Sequence, residues 1–246
     1  MADKIRVTVW NEFRHEQKEE RIRAVYPQGI HQVIADALNA DDRFTARCAW
    51  LDQDPEQGLS EDVLAATDVL FWWGHMAHKE VRDDVIDRVQ KHVLGGMGLV
   101  VLHSGHMSKL FQRMLGTSCT LRWREIGEKE RVWVIDPTHP IAAGLPPYFE
   151  IPHTEMYGER FDIPTPKDVV FINWYAGGDV FRGGVTFERG NGRIFYFSPG
   201  HESFPIYRDA NVQRVLRNAA CWAVPRAPRV ELKCAKVDPL EPVAEK

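Results

Sequence analysis

Gly95-Gly96-Met97-Gly98-Leu99-Val100-Val101-Leu102-His103-Ser104-Gly105-His106 is the stretch on which the fold turns. Leu99 to Leu102 is a short, wholly apolar run between glycines and polar residues, the pattern of a strand buried on both faces. Upstream, Lys79 to Val93 carries Val81, Val85, Ile86, Val89 and Val93 at helical spacing. That helix stops at Gly95-Gly96, where glycine accepts backbone geometry that other residues resist. Downstream, Ser108 to Leu115 reads as another helix. Helix, glycine stop, buried strand, polar elbow and helix together make one unit of a parallel α/β sheet. The glycines precede the strand instead of following it, so they are a turn and not a phosphate loop or dinucleotide fingerprint.

The alternation extends toward the N-terminus. Ile5 to Trp10, Phe44 to Leu51 and Asp68 to Trp73 read as strands, and Gly29 to Leu38 reads as a helix with Ile30, Val33, Ile34, Ala37 and Leu38 on one face. Ser60 is placed to cap a short helix beginning near Asp62. Toward the C-terminus strands follow one another: Val132 to Ile135, Val169 to Asn173, Val180 to Glu188 and Arg193 to Ser198, with a hairpin turn through Glu188 to Arg193. Asp209 to Trp222 closes the domain as a helix. The predicted architecture is a three-layer α/β sandwich with a mostly parallel central sheet over residues 4–224. A proline-rich tail follows at 225–246, extended or disordered.

Composition bounds the function. The 246 residues are 44% hydrophobic and 27% charged, with a net charge of -4. That is enough to build a large core, and it lacks the basic excess of a general nucleic-acid binder. Cys48, Cys119, Cys221 and Cys234 are far apart and form no CxxC pair, which suits free thiols better than a zinc ribbon or disulfide scaffold. No apolar run is long enough to span a bilayer, and no secretory leader is visible, so the expected location is the cytoplasm. A homo-oligomer is left open.

In an α/β sheet ligands bind beyond the carboxyl ends of the strands. Asn11, Glu12, Arg14, His15 and Glu16 follow the first strand. Gly74, His75 and His78 follow the third. His103, Ser104, Gly105 and His106 follow the fourth, and Gly200, His201 and Glu202 follow the strand ending at Ser198. His153, Glu155 and Tyr157 fall in a separate proline-flanked loop. Imidazoles and carboxylates converging on one edge suit acid–base chemistry near neutral pH, or a divalent metal. His31 and His92 lie on helices and are read as structural, and His139 as part of a turn. Most of the eight tryptophans belong in the core, with one or two at strand ends free to stack on a sugar. Ser104-Gly105 lacks the flanks of a hydrolase elbow.

The segments 66–70 (ATDVL), 95–104 (GGMGLVVLHS), 139–145 (HPIAAGL), 154–157 (TEMY), 190–196 (GNGRIFY) and 198–202 (SPGHE) resemble, in the same order, the pattern of the ThuA-like, trehalose-utilisation family. Trp10 to Glu16 (WNEFRHE) is similar to the opening of its trehalose-utilisation branch. The resemblance implies a flavodoxin-like sandwich of the class I glutamine amidotransferase type. It also puts His103 where that superfamily has its catalytic cysteine, and Ser198 and Gly200 where it has the histidine and glutamate. The Cys-His-Glu triad, and amidotransferase activity with it, is therefore absent.

What the resemblance implies for function is a sugar enzyme acting on trehalose or a related 3-keto disaccharide. The expected chemistry is metal- or histidine-assisted proton transfer, as an isomerase, lyase or hydrolase. The expected site residues are His103, Glu155 and His201, then His15, with Tyr157 as a hydrogen-bond donor. Zinc held by His103, Glu155 and His201 is the favoured cofactor. The alternative is a sugar-binding or regulatory protein with a degenerate pocket and no catalysis.

Overall fold

A computed structural model describes residues 3–243. Nine strands form one sheet: β1 Ile5–Asn11, β2 Phe44–Trp50, β3 Val69–Trp73, β4 Gly98–Leu102, β5 Arg122–Val134, β6 Tyr148–Gly158, β7 Asp168–Tyr175, β8 Val180–Arg189 and β9 Gly192–Phe197. Their order across the sheet is β2-β1-β3-β4-β9-β8-β7-β5-β6. The strands from β2 to β9 pair in parallel, and those from β9 to β6 pair antiparallel. The sheet is thus mixed, and the expectation of a mostly parallel sheet is corrected. The C-terminal half supplies no crossover helices, so its strands join as hairpins and meanders, which can only run antiparallel.

Helices cover both faces. α1 His15–Lys18 and α2 Glu20–Val25 follow β1, and then come α3 Ile30–Asn39, α4 Glu61–Ala65, α5 Asp83–Leu94, α6 Lys109–Leu115 and α7 Ala210–Ala223. On one face Ile34 and Leu38 of α3 and Val215 and Ala219 of α7 pack on Val7, Val9, Phe71 and Val100. On the other, Val85, Ile86 and Val89 of α5 and Leu110 and Phe111 of α6 pack on Leu70, Trp72, Leu99 and Val101. Adjacent residues of β3 and β4 point to opposite layers, which is why both strands are apolar throughout. Trp10 and Trp72 stack at 4.0 Å and, with Trp73, are buried core residues. Truncating one of them would cost about 3–5 kcal/mol.

Caps set the helix starts as the sequence implied. Ser60 Oγ accepts from Val63 N, Ser108 Oγ from Phe111 N, and Asp209 from Asn211 N and Val212 N. Residues 225–243 form no helix or strand. The start of that segment lies against the ends of α5 and α4, where Val230 N donates to Gly95 O (3.2 Å) and Arg229 donates to Leu64 O (3.0 Å).

One register row positions the site. Asn11 pairs with Trp73, Trp73 with Leu102 and Leu102 with Phe197. Four parallel strands therefore end level, and Glu12, Gly74, His103 and Ser198 all begin at the same edge.

Candidate functional site

The loop after β1 is fixed to the loop after β3 by Glu12. Its carboxylate accepts Met76 N at 2.6 Å and Ala77 N at 3.0 Å. Asn11 holds Glu16 (2.8 Å), which in turn accepts Ile30 N (2.9 Å). His15, on the first turn after this loop, is thereby set against His75, their nitrogens 2.8 Å apart.

His103 follows β4 directly and has φ +48°, the left-handed region that costs a residue with a Cβ on the order of 1–3 kcal/mol. The chain thus turns sharply out of β4, with the His103 imidazole at the turn. His103 Nδ1 lies 2.7 Å from Ser198 O, and a carbonyl only accepts, so that nitrogen carries hydrogen. Nε2 then faces Glu155 Oε2 at 3.1 Å and the Tyr157 hydroxyl at 3.3 Å. The Tyr157 ring stacks on His103 at 4.7 Å. Behind this arrangement, Asn173 donates to both Ser198 Oγ (2.7 Å) and Glu130 Oε1, tying His103 to a fully buried carboxyl group.

Ser198 and Gly200 have structural uses. Ser198 supplies the carbonyl that orients His103. Gly200 has φ +151°, and a Cβ there would come within 2.0 Å of the Tyr207 hydroxyl. Gly200 O also accepts Trp73 Nε1 at 3.1 Å.

His201 and Glu202 come next. The His103 and His201 rings are 5.4 Å apart. His201 Nδ1 accepts from Ser203 N (3.2 Å), which leaves Nε2–H pointing toward Glu125 Oε1 (3.5 Å), Glu202 Oε1 (3.8 Å) and Glu155 Oε2 (4.0 Å). Glu202 Oε1 lies 3.2 Å from His75 Nδ1. A continuous run of imidazole and carboxylate groups therefore extends from His15 through His75, Glu202 and His201 to Glu155 and His103.

The charges follow from burial against partners. Burial pushes the His201 imidazole down to about 4, so it is neutral at pH 7. Burial also raises Glu155, but the neighbouring His103, His201 and His75 outweigh it and hold the carboxyl below its ordinary value. Glu202 is likewise raised by burial, and its bond to His75 with the nearby imidazoles drives it well below the usual carboxylate range. His75 is lowered by burial yet raised overall by Glu202, Glu155 and Glu12. Burial takes His106 to about 3 and His78 to about 4. His106 is held through Nδ1 to Cys119 O (2.6 Å).

A cavity of about 520 Å³ opens on this edge, walled by His75, Glu155, Tyr157, Ser104, Trp123 and Glu125, among others. Of the five residues expected to form the site, Glu155 and Tyr157 meet the cavity. His103, His201 and His15 are buried beside it, reaching it through Glu155 and His75. Glu155 and Tyr157 come from β6, not from the proline-flanked loop expected, and this is a second correction. His75, Glu202, Trp123 and Glu125 were not selected as site residues. His75 and Glu202 stood in the right place in chain order, but nothing distinguished them from their neighbours. Trp123 is 66% exposed and lines the cavity, whereas Trp72 and Trp73 at the end of β3 are buried in the core. His31 bonds Asn11 (3.1 Å), and His92 pairs with Glu61 (2.9 Å) away from the site. His139 caps a short turn by accepting Ile141 N.

The sequence profile of the ThuA family, described as trehalose utilisation, matches residues 6–223. No curated protein matches the chain. Among solved structures, one described as a ThuA-like protein from Parabacteroides merdae superposes with TM-score 0.69 at 16% identity, covering 95% of this chain and 94% of its own. Another from Bacteroides uniformis gives 0.63 at 18% identity, over 90% and 93%. PurLQS from Thermotoga maritima gives 0.55 at 16% identity, over 89% and 99%, which extends the shared fold to amidotransferase-type proteins. Among the described residues no helix is long and apolar enough to cross a membrane.

Proposed function

The chain belongs to the ThuA, trehalose-utilisation family, and from that premise we propose that it is a carbohydrate-utilisation enzyme acting on trehalose or a related 3-keto disaccharide by proton transfer. A keto group at C3 acidifies the C2–H bond. Glu155, charged and on the cavity wall, is the group placed to take that proton. His103 and His201 flank its carboxylate, and the Tyr157 ring stacks on His103. The enediolate oxygen develops negative charge toward His75, which lines the same cavity and is paired with Glu202. Return of the proton at C3 with the carbonyl moved to C2 completes an isomerisation. Loss of the C1–O bond, with a proton delivered to the departing oxygen, completes an elimination. Trp123 offers a face for a pyranose ring.

The observation that carries this reading is a carboxylate and an imidazole facing one sugar-sized cavity, Glu155 and His75, each beside buried partners. Turnover of trehalose and 3-keto-trehalose by the purified chain tests it. The expected result is consumption of the keto sugar by the wild type, with a loss of about 10²–10⁴-fold in Glu155→Gln. Tight binding of both sugars with no turnover would instead establish a binding protein.

A further inference from the structure

We propose that His15, His75 and Glu202 form a binding site for one divalent transition-metal ion of the zinc class, beside the Glu155 carboxylate.

Geometry comes first. His15 Nε2, His75 Nδ1 and Glu202 Oε1 make a triangle with edges of 2.8, 3.2 and 3.5 Å. Its circumradius is about 1.9 Å, so a point at zinc's usual ~2.1 Å from all three atoms lies about 1 Å out of their plane. That is the pyramid of a tetrahedral centre with its fourth position open. Two imidazoles and one carboxylate are also a donor set that suits borderline divalent ions.

The surroundings agree. Glu19 Oε1 lies 3.1 Å from His15 Nδ1. A carboxylate accepts only, so the hydrogen is on Nδ1 and the Nε2 lone pair faces the centre of the triangle. This is the outer carboxylate that orients metal-binding histidines elsewhere. Glu202 is 2% exposed, and its Oε2 has no hydrogen-bond partner. An orphaned carboxylate oxygen at that depth is costly unless a cation is near it. Of the three residues, His75 also lines the cavity.

The alternative trio, His103, Glu155 and His201, is also close enough to share an ion. Of its edges of 3.1 and 4.0 Å, the second is longer than any in the His15 triangle. His201 further spends its Nδ1 lone pair on Ser203 N–H, which places hydrogen on the Nε2 that would have to face the metal. In the His15 group the hydrogen that His75 Nδ1 holds between His15 Nε2 and Glu202 Oε1 is the one the ion would replace, so the ion belongs there and the trio serves proton transfer.

This deepens the proposed reading, since the ion would supply the positive charge that the enediolate needs. It is tested by binding alone, so turnover can fail while the site stands. Zn²⁺, and separately Co²⁺, is titrated into metal-stripped full-length protein by calorimetry, with circular dichroism to confirm that each variant is folded. The wild type is expected to take up one equivalent at this site. His75→Ala and Glu202→Gln should abolish that equivalent, and His103→Ala should keep it. Glu19→Gln, which touches no ligand position, should weaken it by about 10–100-fold. Absence of saturable binding in the wild type overturns the proposal, as does wild-type binding in both folded His75→Ala and Glu202→Gln.

Discussion

Replacing Glu130 by glutamine should remove a large part of the protein's sensitivity to alkaline pH. Glu130 is fully buried in β5, where Tyr175 (3.0 Å) and Asn173 donate to one oxygen and the other has no partner. Burial pushes its carboxyl from 4.5 up to about 8, with Tyr175, Asn173 and Thr154 opposing. The folded state therefore binds the proton more tightly than the unfolded chain does. Its contribution to stability is fully present below pH 4.5 and is lost as pH rises to about 8. The slope in that window is about 1.4 kcal/mol per pH unit, with a ceiling of about 5 kcal/mol across it. Glutamine keeps the shape and an acceptor oxygen but cannot ionise. Urea unfolding of wild type and Glu130→Gln at pH 5, 6.5 and 8 isolates the term, because every other titrating group cancels in the difference. The variant should gain on the wild type by about 1.4 kcal/mol per pH unit. Parallel stability curves would refute the argument and show Glu130 to be ionised in the folded protein.

Other expectations follow from single contacts. Cys48 and Cys119, both pushed up to about 11 by burial, should resist iodoacetamide at pH 7.5 in the native state, while exposed Cys234 reacts; rapid labelling of Cys119, read by mass spectrometry, would contradict this. Gly200→Ala should destabilise the fold by about 1–3 kcal/mol or more in urea, since the new methyl meets both Tyr207 and, at 3.1 Å, the His103 Cβ; unchanged stability would show that the loop gives way freely. Trp123→Ala should weaken disaccharide binding by about tenfold in calorimetry without altering stability, and unchanged affinity would remove Trp123 from the sugar site.

Much of the fold was legible because β3 and β4 are buried on both faces, and continuous apolar runs such as Val69–Trp73 and Gly98–Leu102 cannot be mistaken for amphipathic elements. β6 was not legible. It is an edge strand with Pro152 in its middle, which an edge tolerates because no neighbour needs that N–H. The first half of β5, with Arg122, Arg124, Glu125, Glu128 and Lys129, is too charged to read as a strand. Missing these two stretches is what made the sheet look mostly parallel and put Glu155 in a loop. At the site, chain order was enough to bring His15, His75, His103 and His201 to one edge. It could not separate the buried His103 from the cavity-lining His75, because side chains after a strand end no longer alternate between faces. Glu202 was hidden for the same reason: it and His201 are neighbours in an irregular segment, and both point inward.

The central claim is that Glu155 moves a proton on a keto sugar, and solvent exchange tests it most directly. Incubating the protein with 3-keto-trehalose in D₂O and following the sugar by NMR should show deuterium entering at C2 or appearing in the isomerised or eliminated product. Glu155→Gln should lose that incorporation while keeping its fold. No exchange above the buffer background with the wild type, or undiminished exchange with Glu155→Gln, would contradict the account.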